Sequence, residues 1–292
     1  MRISLAILVC CFSPLFAQSL QVTDDLGQQV TLTKPAGKIV ALSPHLAELV
    51  FDAGAGKHLV ATVEHADFPQ AARFIPRLGS YNAIDFERLI ALQPDIVLAW
   101  LSGNGETTVT KIRQLGFNVY VSEPRKLPDI SNTIRNIGKL SGTLAIAEHT
   151  ASQFDAGLED LQRSHQQGST ISVFYQLWDK PLITINAEQL INEAIELCGG
   201  FNIFAGLPIL APTVSTEELI LKNPQVIIGG AKAEDRKKWM QQWQQWPMIM
   251  AVKNNHQYFI NPDLMSRQTT RMLDGAAELC SILNKVRNTD YD

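Results

Sequence analysis

The chain has 292 residues, 46% hydrophobic and 18% charged, with a formal net charge of −4. This globular composition excludes a disordered, collagenous or disulfide-dense chain, and the lack of a basic run argues against a nucleic-acid surface. The length accommodates one large domain or two lobes that each bury a core.

The opening segment, MRISLAILVCCFSPLFAQS, reads as a cleaved signal peptide over residues 1–19. Arg2 supplies the positive start, residues 3–12 a short apolar run, and Ala17 and Ser19 a small-residue cleavage site. The run is too short to span a bilayer, and no later segment has the length of a membrane helix. Beyond it only Cys198 and Cys280 remain. An exported chain meets an oxidising compartment, so this pair is expected to form a disulfide closing a loop of about 82 residues. Two unpaired buried thiols are the alternative. With no CxxC, neither thiol catalysis nor a thiolate metal site is expected.

From residue 38 the chain alternates β-branched runs with helical patterns. Strands are predicted at 38–42, 59–63, 95–100 and 118–121, and helices at 45–53, 85–92 and 106–115. Continuous apolar runs such as IVLAW suit strands buried on both faces, hence a mostly parallel α/β sheet. Between 127 and 167 there is no strand pattern. Ile130, Ile134, Ile137, Leu140, Leu144, Ala147, Ala151, Phe154, Leu158 and Leu161 recur at helical spacing. One long connecting helix is predicted there, with Gly142 as a point of interruption. The alternation then resumes, with strands at 169–177, 182–185, 225–228 and 257–260 and helices at 188–198, 215–221, 235–245 and 269–286. The expected organisation is an N-terminal lobe over 20–126, the connecting helix over 127–167, and a C-terminal lobe over 168–292.

The lobes echo each other. ERLIALQPDIV, starting at Glu87, lies 130 positions before EELILKNPQVI, starting at Glu217. Both read as a short helix, a proline stop and a buried strand. Similar lobes joined by a helix enclose a cleft, a preferred place for a ligand. The bland alternative is chance likeness between two generic αβ units.

There is no GxSxG, HExxH, Walker loop or GxGxxG after the first strand. None of His45, His58, His65, His149, His165 and His256 pairs with another at metal-ligand spacing. Binding is therefore favoured over catalysis, with no catalytic residue, metal site or cofactor expected. Ligands of parallel α/β sheets sit outside the carboxyl ends of strands. Trp100 ends one such strand, His65 and Phe68 follow another with Asp67, Tyr81 lies in the loop before Glu87, and Trp178 follows the first strand of the second lobe. Together they predict an aromatic-lined cleft, although packing is an equal reading for each alone. Trp239, Trp243 and Trp246 share one helical face and read as core or groove. Glu87 and Glu217 each start a helix, where the helix dipole and a Ser215–Glu218 capping box account for them locally. Their matched positions would also place two carboxylates on one outer surface, able to dock onto basic groups of a dimeric partner.

Several blocks carry a resemblance: IVALSP at 39–44 with Glu48, DFP at 67–69, ERLIALQPDIVLAW from Glu87 to Trp100, CGGFNIF at 198–204, and Leu279 with Cys280. Over about residues 38–283 the chain resembles the periplasmic corrinoid- and iron-chelate-binding receptors of ABC importers, and the cobalamin-binding branch above all. The resemblance implies an α/β fold with two Rossmann-like lobes, joined by one long rigid interdomain helix. It implies a periplasmic receptor, monomeric when free, that captures cobalamin as cargo in the interlobe cleft and delivers it to a dimeric ABC permease with its ATPase subunits at the inner membrane. It implies ligand contacts from Trp100, Tyr81, His65, Phe68 and Trp178 and polar contacts from Asp263 and Arg267. It also implies permease docking by Glu87 and Glu217 and a disulfide between Cys198 and Cys280. Tyr81 stands where the cobalamin receptors have tryptophan, His65 where they have tyrosine, and Ile183 and Ala211 replace aromatics. A haem or ferric-siderophore receptor is therefore the alternative, and an exported metal-dependent hydrolase would need clustered ligands.

Overall fold

The computed structural model describes residues 19–165, 169–230 and 236–289, without the side chain of residue 165. Apart from Ser19, the expected signal peptide lies outside the described residues.

The chain opens with an antiparallel hairpin of β1 (Leu20–Thr23) and β2 (Gln29–Leu32), too short and half-exposed for periodicity to reveal. The first lobe follows: β3 (Ile39–Ala41), α1 (Pro44–Asp52), β4 (Leu59–Ala61), the two-residue pair β5 (Gly79–Ser80) and β6 (Ala83–Ile84), α2 (Phe86–Leu92), β7 (Ile96–Trp100), α3 (Leu101–Asn104), α4 (Glu106–Gln114) and β8 (Val119–Ser122). Its main sheet has the order β4-β3-β7-β8 and is parallel throughout. The first four residues of β7 are buried, as expected of a strand covered on both faces.

The stretch read as one connecting helix is divided at Gly142 into α5 (Leu127–Ser141) and α6 (Leu144–His165). Gly142 caps α5 in the left-handed region, φ 74°, and a Cβ there would press on Pro35. The two helices pack closely, with Gly138 admitting the Ala147 methyl. Ile130, Ile134, Ile137 and Leu140 of α5 belong to the first lobe's core. The long interdomain helix is α6, about 33 Å at 1.5 Å per residue. Ile146 lies against Gly54 of the first lobe, and Gly157 lies against Leu273 of the second.

The second lobe comprises β9 (Ile171–Gln176), α7 (Leu190–Leu197), β10 (Gly200–Asn202), α8 (Thr216–Lys222), β11 (Val226–Gly229), α9 (Arg236–Trp243), α10 (Met250–Lys253), β12 (Gln257–Phe259), α11 (Pro262–Met265) and α12 (Met272–Thr289). Its parallel sheet, β10-β9-β11-β12, repeats the strand order of the first lobe. The 130-residue echo is structural as well. Asp85 and Ser215 each cap a seven-residue helix by accepting a hydrogen bond from the backbone three residues on. Leu89 and Leu219 are the buried anchors, and Gln93 and Asn223 close both helices in the left-handed region. A proline and a buried strand follow in each case.

Two expectations shift. Residues 182–185 form only isolated bridges, Ile183 with Trp178 and with Thr213, because the chain folds back on itself between Trp178 and Ile183. The last helix starts at Met272 rather than 269, because the preceding residues turn toward the first lobe. The disulfide is present, joining Cys198 at the end of α7 to Cys280 in α12. Trp239 and Trp243 are buried, and both indoles donate to Gln176 Oε1, at 2.7 and 3.0 Å.

Candidate functional site

The carboxyl ends of β3 and β7 meet where the strand order reverses, the position at which open α/β sheets bind ligands. Asn104, buried just after β7, ties that edge together. Its Oδ1 accepts from Trp100 N at 2.7 Å, and its Nδ2 donates to Leu42 O at 2.8 Å and to Tyr81 O at 2.7 Å. Three loops distant in sequence are thereby fixed by one amide. The Trp100 indole packs edge-on to His45 at 5.1 Å and tilted to Tyr81 at 5.9 Å. Gly103 leaves it room, since a Cβ there would fall within 2.0 Å of the indole. His45 is buried, and burial together with the nearby Arg267 charge lowers its pKa to about 3. It is therefore a neutral ring that shapes the floor under Trp100. Tyr81 remains 41% exposed.

From the second lobe, Arg267 and Arg271 reach across to this edge. Arg267 Nη1 donates to Glu48 Oε1 and to Asp67 Oδ1, both at 2.7 Å, and Nη2 donates to His65 O at 3.2 Å. Its Nε lies 3.2 Å from Asp263 Oδ1. Arg271 grips both oxygens of Glu48, at 3.0 and 2.8 Å, and its guanidinium lies 4.1 Å from the centre of the Phe68 ring. Glu48 is 2% exposed, buried between the lobes and matched by two cations. One turn along α1, Asp52 accepts from Thr270 Oγ1 at 2.9 Å. Burial opposes ionisation of Asp67, but the Arg267 hydrogen bond and charge outweigh it and hold that carboxyl below its usual range.

The structure thus gathers Trp100, Tyr81, Phe68, His65, Asp263 and Arg267 along one interlobe seam. His65 is exposed with its backbone in the left-handed region, φ 63°. Arg267, expected to contact ligand, also engages four acceptors of the protein. Trp178 stands on the second lobe, 64% exposed, its indole N–H donating to Lys180 O within its own turn. Glu87 and Glu217 are exposed in the first turns of α2 and α8. Sequence reasoning assigned no role to Asn104, His45, Glu48 or Arg271. Glu48 carried a signal, since a carboxylate inside the apolar run LAELV must find a cation when that helix is buried. Among the described residues no cluster of His, Cys, Asp and Glu could hold a metal ion. A cavity of about 620 Å³ lies away from the seam, between α5, α6 and α7, with Leu127, Arg135, Asp155 and Glu193 in its wall.

Twin lobes of parallel sheet, a long bridging helix and an aromatic edge at the interlobe seam are the architecture of a two-lobed solute receptor. The chain belongs to the periplasmic binding protein family, whose profile matches residues 39–264. It is 34% identical over 249 residues to the vitamin B12-binding protein of Vibrio cholerae serotype O1, covering 85% of this chain and 90% of the relative. It is 32% identical over 282 residues to the vitamin B12-binding protein of Vibrio parahaemolyticus, covering 96% and 98%. The crystal structure of the periplasmic vitamin B12 binding protein BtuF of Vibrio cholerae superposes with a TM-score of 0.81 at 34% identity, over 86% of this chain and 98% of that one. The periplasmic haem-binding protein RhuT from Roseiflexus sp. RS-1 shares the fold, with a TM-score of 0.74 at 18% identity over 86% and 99%.

Proposed function

We propose that this chain is a periplasmic cobalamin receptor. It is exported by the signal at 1–19, captures the corrinoid between its lobes and delivers it to an ABC importer. One observation carries the reading: relatives aligned over at least 85% of the chain at 32–34% identity are vitamin B12-binding proteins. The site chemistry supports it. A corrin is a broad ring with an amide-bearing rim, and Tyr81, Trp100 and Phe68 offer apolar faces at the seam. No bond is made or broken, so no residue is assigned a catalytic role, and cobalamin enters as cargo rather than cofactor. Lobes at 20–126 and 168–292, joined by the helices of 127–167, would frame the cleft. Trp178 would close its second-lobe wall, and Asp263 the rim. Glu87 and Glu217 would meet basic residues of a dimeric permease, which works with its ATPase subunits.

Isothermal titration of the mature protein tests the ligand. Cyanocobalamin at micromolar concentration should release or absorb heat with one-to-one stoichiometry. A silent titration, with haemin or a ferric siderophore binding instead, refutes the cobalamin reading. That second reading, a haem or iron-chelate receptor, is favoured by His65, whose exposed imidazole has no hydrogen-bond partner among the described residues and can ligate a metal centre. A haemin spectrum that loses its shift in His65→Ala would support it.

A further inference from the structure

The seam holds two guanidinium groups beside the aromatic edge, which on their face suit an anionic ligand. Their surroundings say otherwise. Glu48, Asp67 and Asp263 place three carboxylates on Arg267 and Arg271. Arg267 is divided among Glu48, Asp67, Asp263 and the His65 carbonyl, and Arg271 is held by both oxygens of a carboxylate that is 2% exposed. Charge-assisted, two-pronged bonds of this kind are the strong ones. An incoming carboxylate or catecholate would have to break them, or lie against carboxylates of its own sign.

We propose that Glu48 is a specificity-determining residue that withholds the cleft arginines from anionic ligands, so that the seam admits an uncharged, amide-rimmed ligand and rejects anionic chelates. Discrimination then comes from a repulsive element as much as from attraction to the right ligand. Asp67 acts with it from the exposed side of Arg267. The inference rests on the receptor reading above but assigns a different property, the charge of what is refused.

The test compares wild type, Glu48→Gln and Asp67→Asn by titration with cyanocobalamin, which has no net charge, and with an anionic ferric tris-catecholate. Either substitution should tighten tris-catecholate binding at least ten-fold, with a stronger salt dependence, while cyanocobalamin affinity changes less than about three-fold. A merely structural role for Glu48 would not create affinity for an anion. Should Glu48→Gln fail to fold, Asp67→Asn, at an exposed position, decides the matter. Unchanged or weaker tris-catecholate binding in a folded Glu48→Gln, or in Asp67→Asn where Glu48→Gln does not fold, overturns the proposal. Failure of wild type to bind cyanocobalamin refutes the receptor reading instead, and leaves the anion comparison legible.

Discussion

Replacing Cys198 and Cys280 together by alanine should loosen the second lobe selectively. The bond spans 82 residues and encloses the chain from β10 into α12. In the chain-entropy treatment a loop of that length stabilises the folded state by about 4.5 kcal/mol at 25 °C. Each substitution removes only one buried sulfur atom, so the new cavity is small and the loop term dominates. With a urea dependence of about 2 kcal/mol per molar, the lobe's midpoint should fall by about 2 M. Tryptophan fluorescence is suited to the measurement, since Trp178, Trp239, Trp243 and Trp246 lie in the second lobe and Trp100 alone in the first. Far-ultraviolet circular dichroism over both lobes should then become biphasic, the first lobe melting at its original midpoint. A fluorescence shift below about 0.5 M, or equal loss in both lobes, would refute the reasoning.

Glu87→Ala with Glu217→Ala should abolish ligand-stimulated transport in vesicles carrying the cognate importer while leaving cobalamin affinity unchanged, because both carboxylates are exposed in the first turns of α2 and α8; normal transport would remove the docking assignment. Tyr81→Ala should weaken cobalamin binding by about 10- to 100-fold through lost stacking and apolar burial, with little change in melting temperature at this exposed position. A pH effect follows from Asp52, whose carboxyl burial pushes up from 3.8 to about 6, the Thr270 hydrogen bond only partly opposing it. The folded protein then holds this proton more tightly than the unfolded chain, so the contribution is full below about pH 4 and is lost as pH rises through 6. Asp52→Asn should therefore raise stability at pH 8 by about 1–3 kcal/mol and change it little at pH 4; equal effects at both values would contradict the assignment.

Much of the architecture was legible because its causes are local. Asp85 and Ser215 cap helices, Pro94 and Pro224 stop them, and IVLAW is apolar throughout. All of these act within a few residues, and their recurrence 130 positions later exposed the twin lobes. The β1–β2 hairpin escaped because four-residue strands with exposed faces carry too little pattern. Helical spacing over 127–167 makes that stretch helix, and Gly142 marks where it can break. Periodicity does not report whether a glycine adopts φ 74° and turns the chain back on itself.

The candidate site divides in the same way. Sequence by itself singled out the strand-end aromatics Trp100, Tyr81 and Phe68 and the matched glutamates from their places in local elements, and the cysteine pair as the two that remain after the signal segment. Only the tertiary structure decided that Arg267 serves Glu48, 219 residues away, and that Arg271 lies over Phe68. It also decided that Asn104 ties Leu42, Tyr81 and Trp100 together. A buried charge announces that it needs a partner, but not which one. That choice depends on how two lobes approach across the seam, and no local preference encodes it.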